Sequence, residues 1–172
     1  MPGARCFVAV MPPPTLVEQV SALARPARPG LRWTVRDQWH VTLRFFASVD
    51  PDRLVAAVGE VSVDRVVARC EPVPSALAQR VWVLPVSGLD RLAAAVVDAT
   101  AYLAPPEGRP FRGHLTLARA RQPVALPGLA SPVLSSPIEW EVTEIAVVRS
   151  ELGRHGARHT MIGHAVIGQR AL

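Results

Sequence analysis

A four-residue pattern that recurs in two alternating stretches limits the folds open to this chain more than any other feature. His40-Val41-Thr42-Leu43 and His114-Leu115-Thr116-Leu117 lie 114 − 40 = 74 residues apart, and each sits in a run whose period of two reads as a half-buried β-strand. Residues two apart on a strand project from the same face, so His40 with Thr42, and His114 with Thr116, should point one way while the aliphatic residues between them point into a core. If the two strands face each other, two imidazoles and two hydroxyls converge. Such a group is suited to acid/base chemistry on a phosphate.

The flanking sequence supplies the elements such strands need. Arg5–Met11 reads as a buried strand closed by three prolines, followed by a helix from an N-cap at Thr15 to about Ala24. Leu31–Val35 is extended, Trp39–Phe46 is the first motif strand, and Asp50-Pro51 opens a second helix. Val63–Cys70 and Arg80–Val86 read as strands around a proline-rich turn, and Gly88–Leu103 as a helix stopped by Pro105-Pro106. After the second motif strand, residues 122–137 read as an irregular loop, then Ile138–Arg149 and Arg158–Ile167 as two strands. Each half of the chain thus carries one motif strand and at least one helix. The expected fold is α+β and bilobal: residues 1–172 form one domain of two related lobes, with antiparallel sheets facing a central cleft and helices on the outer faces.

Composition agrees with one domain of this size and narrows the partners. Of the 172 residues 49% are apolar, enough for a substantial core. The net charge is +5, and every one of the 19 basic residues is arginine, which favours an anionic partner. Two cysteines, Cys6 and Cys70, are too few for a disulfide framework and read as buried thiols. No stretch reads as a signal peptide or a spanning helix, so a cytoplasmic protein without membrane attachment is expected.

Opening a cyclic phosphodiester requires a base for the attacking water and an acid for the departing ribose oxygen, placed roughly in line across phosphorus. Histidine can serve in either role near neutral pH. Threonine hydroxyls can donate to the non-bridging oxygens, and Arg119, five residues after His114, can reach the phosphate with a guanidinium. No metal or other cofactor is needed for this chemistry, and neither motif is flanked by a metal-ligand pattern. A single strand histidine is usually structural; the repetition together with threonine is what points to a site. Arg44 and Arg112 read as surface or rim charges, Trp33 and Trp82 as core or cleft wall, and His155, His159 and His164 as ordinary loop and strand histidines.

At these residues the chain resembles the two-histidine (2H) phosphoesterases, and within them the RNA 2',3'-cyclic phosphodiesterases, also called 2'-5' RNA ligase-like proteins. The resemblance runs from Arg5–Val10 through Trp39–Phe46, Arg80–Val83 and Arg109–Arg119 to Arg149–Leu152. It implies metal-independent hydrolysis of 2',3'-cyclic phosphate ends of RNA or nucleotides to 2'-phosphomonoesters by a monomeric enzyme. In that pattern His40 is the acid that protonates the leaving 3' oxygen, and His114 is the base that activates water. Thr42, Thr116 and Arg119 would hold the phosphate, and Phe45 would border the base. Ala47, Gly113 and His159 stand where the family usually has glycine, proline and tyrosine, and the region from Val63 to Arg80 is short. Two other functions share these residues: joining or cleaving 2'-5' linkages, and non-catalytic binding of RNA ends.

Overall fold

The computed structural model describes residues 3–125 and 131–168, so part of the expected loop over residues 122–137 lies outside the described residues. Ten strands and three helices follow in the order β1 (Ala4–Val10), α1 (Pro14–Ser21), β2 (Leu31–Trp33), β3 (Val41–Val49), α2 (Pro51–Gly59), β4 (Val66–Cys70), β5 (Ser75–Leu77), β6 (Val81–Ser87), α3 (Asp90–Ala99), β7 (His114–Ala120), β8 (Ile138–Val142), β9 (Glu144–Gly153) and β10 (Gly156–Val166). Eight of the strands form one curled sheet in the order β10-β9-β1-β3-β7-β6-β4-β8, with β2 added to β7 and β5 to β6, and all pairings are antiparallel.

The middle of this sheet is its weakest seam. β3 and β7, the two motif strands, share a single ladder pair, Val41 opposite Leu115. On one side of the seam lie β3, β1, β9 and β10, and on the other β7, β6, β4 and β8. These are the two antiparallel lobes expected from the sequence, but they do not coincide with its two halves. The run Ile138–Arg149, expected as one strand, breaks at Thr143: β8 pairs with β4, while β9 crosses the sheet to pair with β1. The two exposed residues in succession, Thr143 and Glu144, interrupt the period of two at that point.

The helices lie against the face of the sheet opposite the cleft. Leu16 and Val20 of α1, Leu54 and Val58 of α2, and Leu92 and Val96 of α3 join Val8, Val41, Leu84 and Leu115 of the strands in one continuous core. Each such side chain removed from water contributes about 1.5–3 kcal/mol. α1 begins at Pro14, so the expected N-cap Thr15 sits inside the first turn; Pro13 occupies the cap position without a side-chain hydrogen bond. At α2 the Asp50 carboxylate accepts from the Asp52 and Arg53 amides at 3.0 and 3.3 Å, with Pro51 opening the first turn. Cys6 and Cys70 are both buried free thiols. Among the described residues no helix is long and apolar enough to cross a membrane.

Candidate active site

Both motif strands carry a β-bulge, and it falls at the same place in each motif. On β3, Thr42 is opposite Ala9 and Arg44 opposite Val8, so Leu43 is the extra residue. On β7, Thr116 is opposite Val83 and Ala118 opposite Trp82, so Leu117 is the extra residue. A bulge shifts the alternation by one position. His40 and Thr42 face the cleft as expected, but beyond Leu43 the strand is inverted: Phe45 turns to the cleft and Arg44 to the core. Beyond Leu117, in the same way, Arg119 shares a face with His114 and Thr116. Each motif therefore delivers three side chains to the cleft: a histidine, the threonine two residues on, and the residue five on.

The inversion corrects the reading of Arg44 as a rim charge. It is 5% exposed. Its guanidinium donates to the carbonyls of Val97, Ala104 and Pro105 at 3.2, 2.6 and 3.1 Å and to the Thr100 hydroxyl at 2.6 Å. These are acceptors left over where α3 ends, so Arg44 ties the first motif strand to that helix. Arg112, by contrast, is exposed.

The two histidines are held in the same way. The Nδ1–H of His40 donates to the Gln38 carbonyl, and that of His114 to the Arg112 carbonyl, each at 2.7 Å and each two residues back along the chain. This bond selects the tautomer in which Nε2 carries the lone pair. His40 Nε2 lies 3.0 Å from the Thr42 hydroxyl. Because the single β3–β7 pair comes one residue after each histidine, the two histidine Cα atoms can be no more than about 13 Å apart.

Small features of the sequence set this geometry. Gly113 passes so close to β6 that an added Cβ would run into the Val86 carbonyl, while the Gly113 carbonyl accepts from the Val86 amide at 2.9 Å. Thr34, to which the sequence reading assigned no role, closes the bulge of β7. Its hydroxyl is 2.7 Å from the Thr116 carbonyl and 2.9 Å from that of Leu117, and it accepts from the Trp39 indole at 3.0 Å. Gln38, besides orienting His40 through its carbonyl, donates from its side chain to Ala157 O on β10 at 2.9 Å.

The floor beneath His40 is aromatic. Phe7, 4% exposed, stacks on the imidazole with ring centres 4.3 Å apart and planes 20° from parallel. Phe7, Ala9, Ala146 and Val148 form a small apolar cluster apart from the main core, with Phe45 packed against it. The Arg5 guanidinium sits 4.5 Å above the Phe45 ring. His159, read by its spacing as an ordinary strand histidine but near the cleft in the family layout, stands edge-on to Phe7 at 5.0 Å and to His40 at 5.3 Å. The sequence signals for Phe7 and Arg5 lay in the first strand, whose period places them on the same face.

The site is strongly cationic. Burial pushes the His40 imidazole down to about 4, and the neighbouring His159, Arg119 and His114 push in the same direction against the favourable bond to Gln38. His114 is lowered by burial and by Arg119, and His159 by burial, Arg119 and Arg5. Arg119 is itself lowered by burial and by the charges of Arg32 and Arg5. Among the described residues no cluster of three or more His, Cys, Asp or Glu side chains could hold a metal ion. A cavity of about 220 Å³ lined by Arg25, Trp33, Arg36 and Trp39, among others, includes neither motif histidine.

Known proteins share this architecture. The family model described as the 2'-5' RNA ligase superfamily matches residues 12–154. The crystal structure of TT0787 from Thermus thermophilus is 26% identical, with a TM-score of 0.79, covering 97% of this chain and 100% of that one. The crystal structure of a phosphoesterase is 25% identical, with a TM-score of 0.75, over 97% of this chain and 99% of that one. LigT of E. coli in its apo form is 23% identical with a TM-score of 0.73, over 98% of this chain and 100% of the other, a likeness of fold. Among curated protein sequences nothing matches.

Proposed function

The chain belongs to the 2'-5' RNA ligase superfamily, one of the two-histidine phosphoesterase groups, and from that premise we propose that it hydrolyses 2',3'-cyclic phosphates at RNA or nucleotide ends to 2'-phosphomonoesters. The observation that supports this most is the paired construction of the cleft. Two bulged strands meet at Val41–Leu115, and each brings a histidine held through Nδ1, a threonine, and one further side chain to the same face.

In the proposed reaction the cyclic phosphate lies between the two imidazoles. His114 Nε2 takes a proton from water as its oxygen bonds to phosphorus. The bond from phosphorus to the 3' oxygen breaks in line, and His40 gives that oxygen a proton, leaving the phosphate on the 2' oxygen. Thr42 and Thr116 donate to the non-bridging oxygens, and Arg119 offsets the charge that gathers there. Burial, and after it the charges of His159, Arg119 and His114, disfavours protonated His40. A phosphate anion beside it acts in the opposite direction to those charges and raises the share of protonated His40. Phe45, beneath the Arg5 guanidinium, borders the nucleoside.

The test is incubation of the protein with a nucleoside 2',3'-cyclic phosphate in the presence of EDTA. The expected product is the 2'-phosphomonoester, with turnover lowered about 10²–10⁴-fold in His40→Ala and in His114→Ala. Undiminished turnover in either variant rejects the assignment. RNA with a cyclic end and a second RNA bearing a 5' hydroxyl separates hydrolysis from end joining, since joining yields a longer 2'-5'-linked product. Binding of RNA ends without any reaction would mark a non-catalytic protein.

A further inference from the structure

Beside Arg119 the cleft carries two further arginines, Arg32 and Arg5, whose charges both act on it. Arg32 on β2 lies directly opposite Arg119 on β7 in the antiparallel ladder, and like charges so placed repel. The Arg32 guanidinium rests against the β9–β10 turn: a Cβ added to Gly156 would meet three of its atoms at 2.9–3.0 Å. Gly156, at φ +114, is in the backbone region that glycine favours, and this leaves room for the arginine. Arg5 approaches from β1, stacked on Phe45. Among the described residues Arg5, Arg32 and Arg119, like most of the arginines, have no carboxylate within 4.0 Å to offset their charge.

We propose that Arg32, together with Arg5, forms a second phosphate subsite beside Arg119, which selects nucleotide ends that carry a phosphate on the 5' oxygen as well as the reacting one. This rests on the phosphoesterase reading of the cleft. The next anion along a nucleotide chain is the one on the 5' oxygen of the same nucleoside. Arg32 comes from β2, beside the second motif strand, and Arg5 comes from the lobe of the first, so the subsite spans the seam between them. Guanidinium groups suit phosphate because they donate in a planar fork, and a bound phosphate removes the repulsion between Arg32 and Arg119. The second phosphate can be the internal phosphodiester of an RNA chain or the terminal 5'-phosphate of a free nucleotide.

Binding of product analogues tests this without relying on turnover. Three ligands are titrated calorimetrically into the full chain: a nucleoside 2'-monophosphate, the matching 2',5'-bisphosphate, and a dinucleotide ending in a 2'-phosphate. The bisphosphate is expected to bind at least about tenfold more tightly than the monophosphate, the size of one good charge-assisted contact. In Arg32→Ala and in Arg32→Gln that ratio should fall below about threefold. In Arg65→Ala, which removes the same charge at a distant ion pair, the ratio should persist. A dinucleotide that matches the bisphosphate identifies the RNA chain as the source of the second phosphate; one that matches the monophosphate identifies the free nucleotide. A wild-type ratio near one, or a ratio that survives loss of Arg32, overturns the subsite. A preserved ratio with no turnover of cyclic substrate rejects the proposed reaction and leaves the subsite standing.

Discussion

A histidine that exchanges protons with a phosphate needs its ring fixed and one nitrogen left over. The shared Nδ1 bonds of His40 and His114 supply the first condition, and the tautomer they select supplies the second. What distinguishes His40 is its surroundings: Phe7 on one face, His159 at its edge, and a value lowered to about 4. Between about pH 6.5 and 4 the unfolded chain therefore binds a proton that the native protein does not. The His40 contribution to stability is complete above the unfolded value and is lost as pH falls through that window, a difference of about 3 kcal/mol. Anion binding runs the opposite way, because an anion beside the ring draws a proton in. Sulfate, which does not titrate in this range, should bind more tightly as pH falls from 7 to 5, with much of the slope lost in His40→Gln. Calorimetry across that range checks this, and a pH-independent affinity would show that His40 does not face the anion. At this scale the sequence was informative: the two histidines and two threonines stand out by recurrence alone. His159 drew notice only through the family layout, and Arg5 and Arg32 drew none, because what brings these three beside the motifs is the pairing of strands rather than anything near them in the chain.

At the level of the strand, the bulges decide which residues reach the cleft. Strict alternation placed Val41 and Leu43 toward the core correctly, but it also put Arg44 on the polar face. A bulge leaves no local composition signal when the extra residue is leucine in a run of β-formers, so Leu43 and Leu117 read as ordinary inward positions. Arg44 gives one test of the corrected register. Arg44→Met should destabilise the protein by about 2–4 kcal/mol, since it strands several acceptors at the end of α3, whereas a surface arginine would cost almost nothing. Thermal or urea unfolding measures the difference. Thr34 gives a second. Thr34→Val removes the hydroxyl that serves the Thr116 and Leu117 carbonyls, at a cost of about 1–3 kcal/mol. Because Thr116 and Arg119 flank that bulge, kcat/KM should also fall about tenfold or more. Thr34→Ser should restore activity along with stability, as expected of a positioning residue. Activity unchanged in Thr34→Val would separate the bulge from the chemistry.

Across the whole molecule, the lobes are joined where the chemistry is proposed to occur. One core runs beneath both, while on the cleft side the seam is a single ladder pair, supplemented by Gln38 on Ala157 and Arg32 on Gly156. That two related lobes with helices outside would form was legible from the order of elements and the repeated motif. That the last two strands return to the first lobe was not, because Ile138–Arg149 contains no glycine or proline to mark the crossing, and only the doublet Thr143-Glu144 breaks its period. The central claim is that two imidazoles from strands far apart in sequence close on one anion. Titration of inorganic phosphate at fixed pH, followed by the ring-nitrogen resonances of His40 and His114, tests it most directly. Both Nε2 signals should move together along one binding curve with a single dissociation constant. If only one moves, or the two follow different constants, the rings do not share an anion and the account fails.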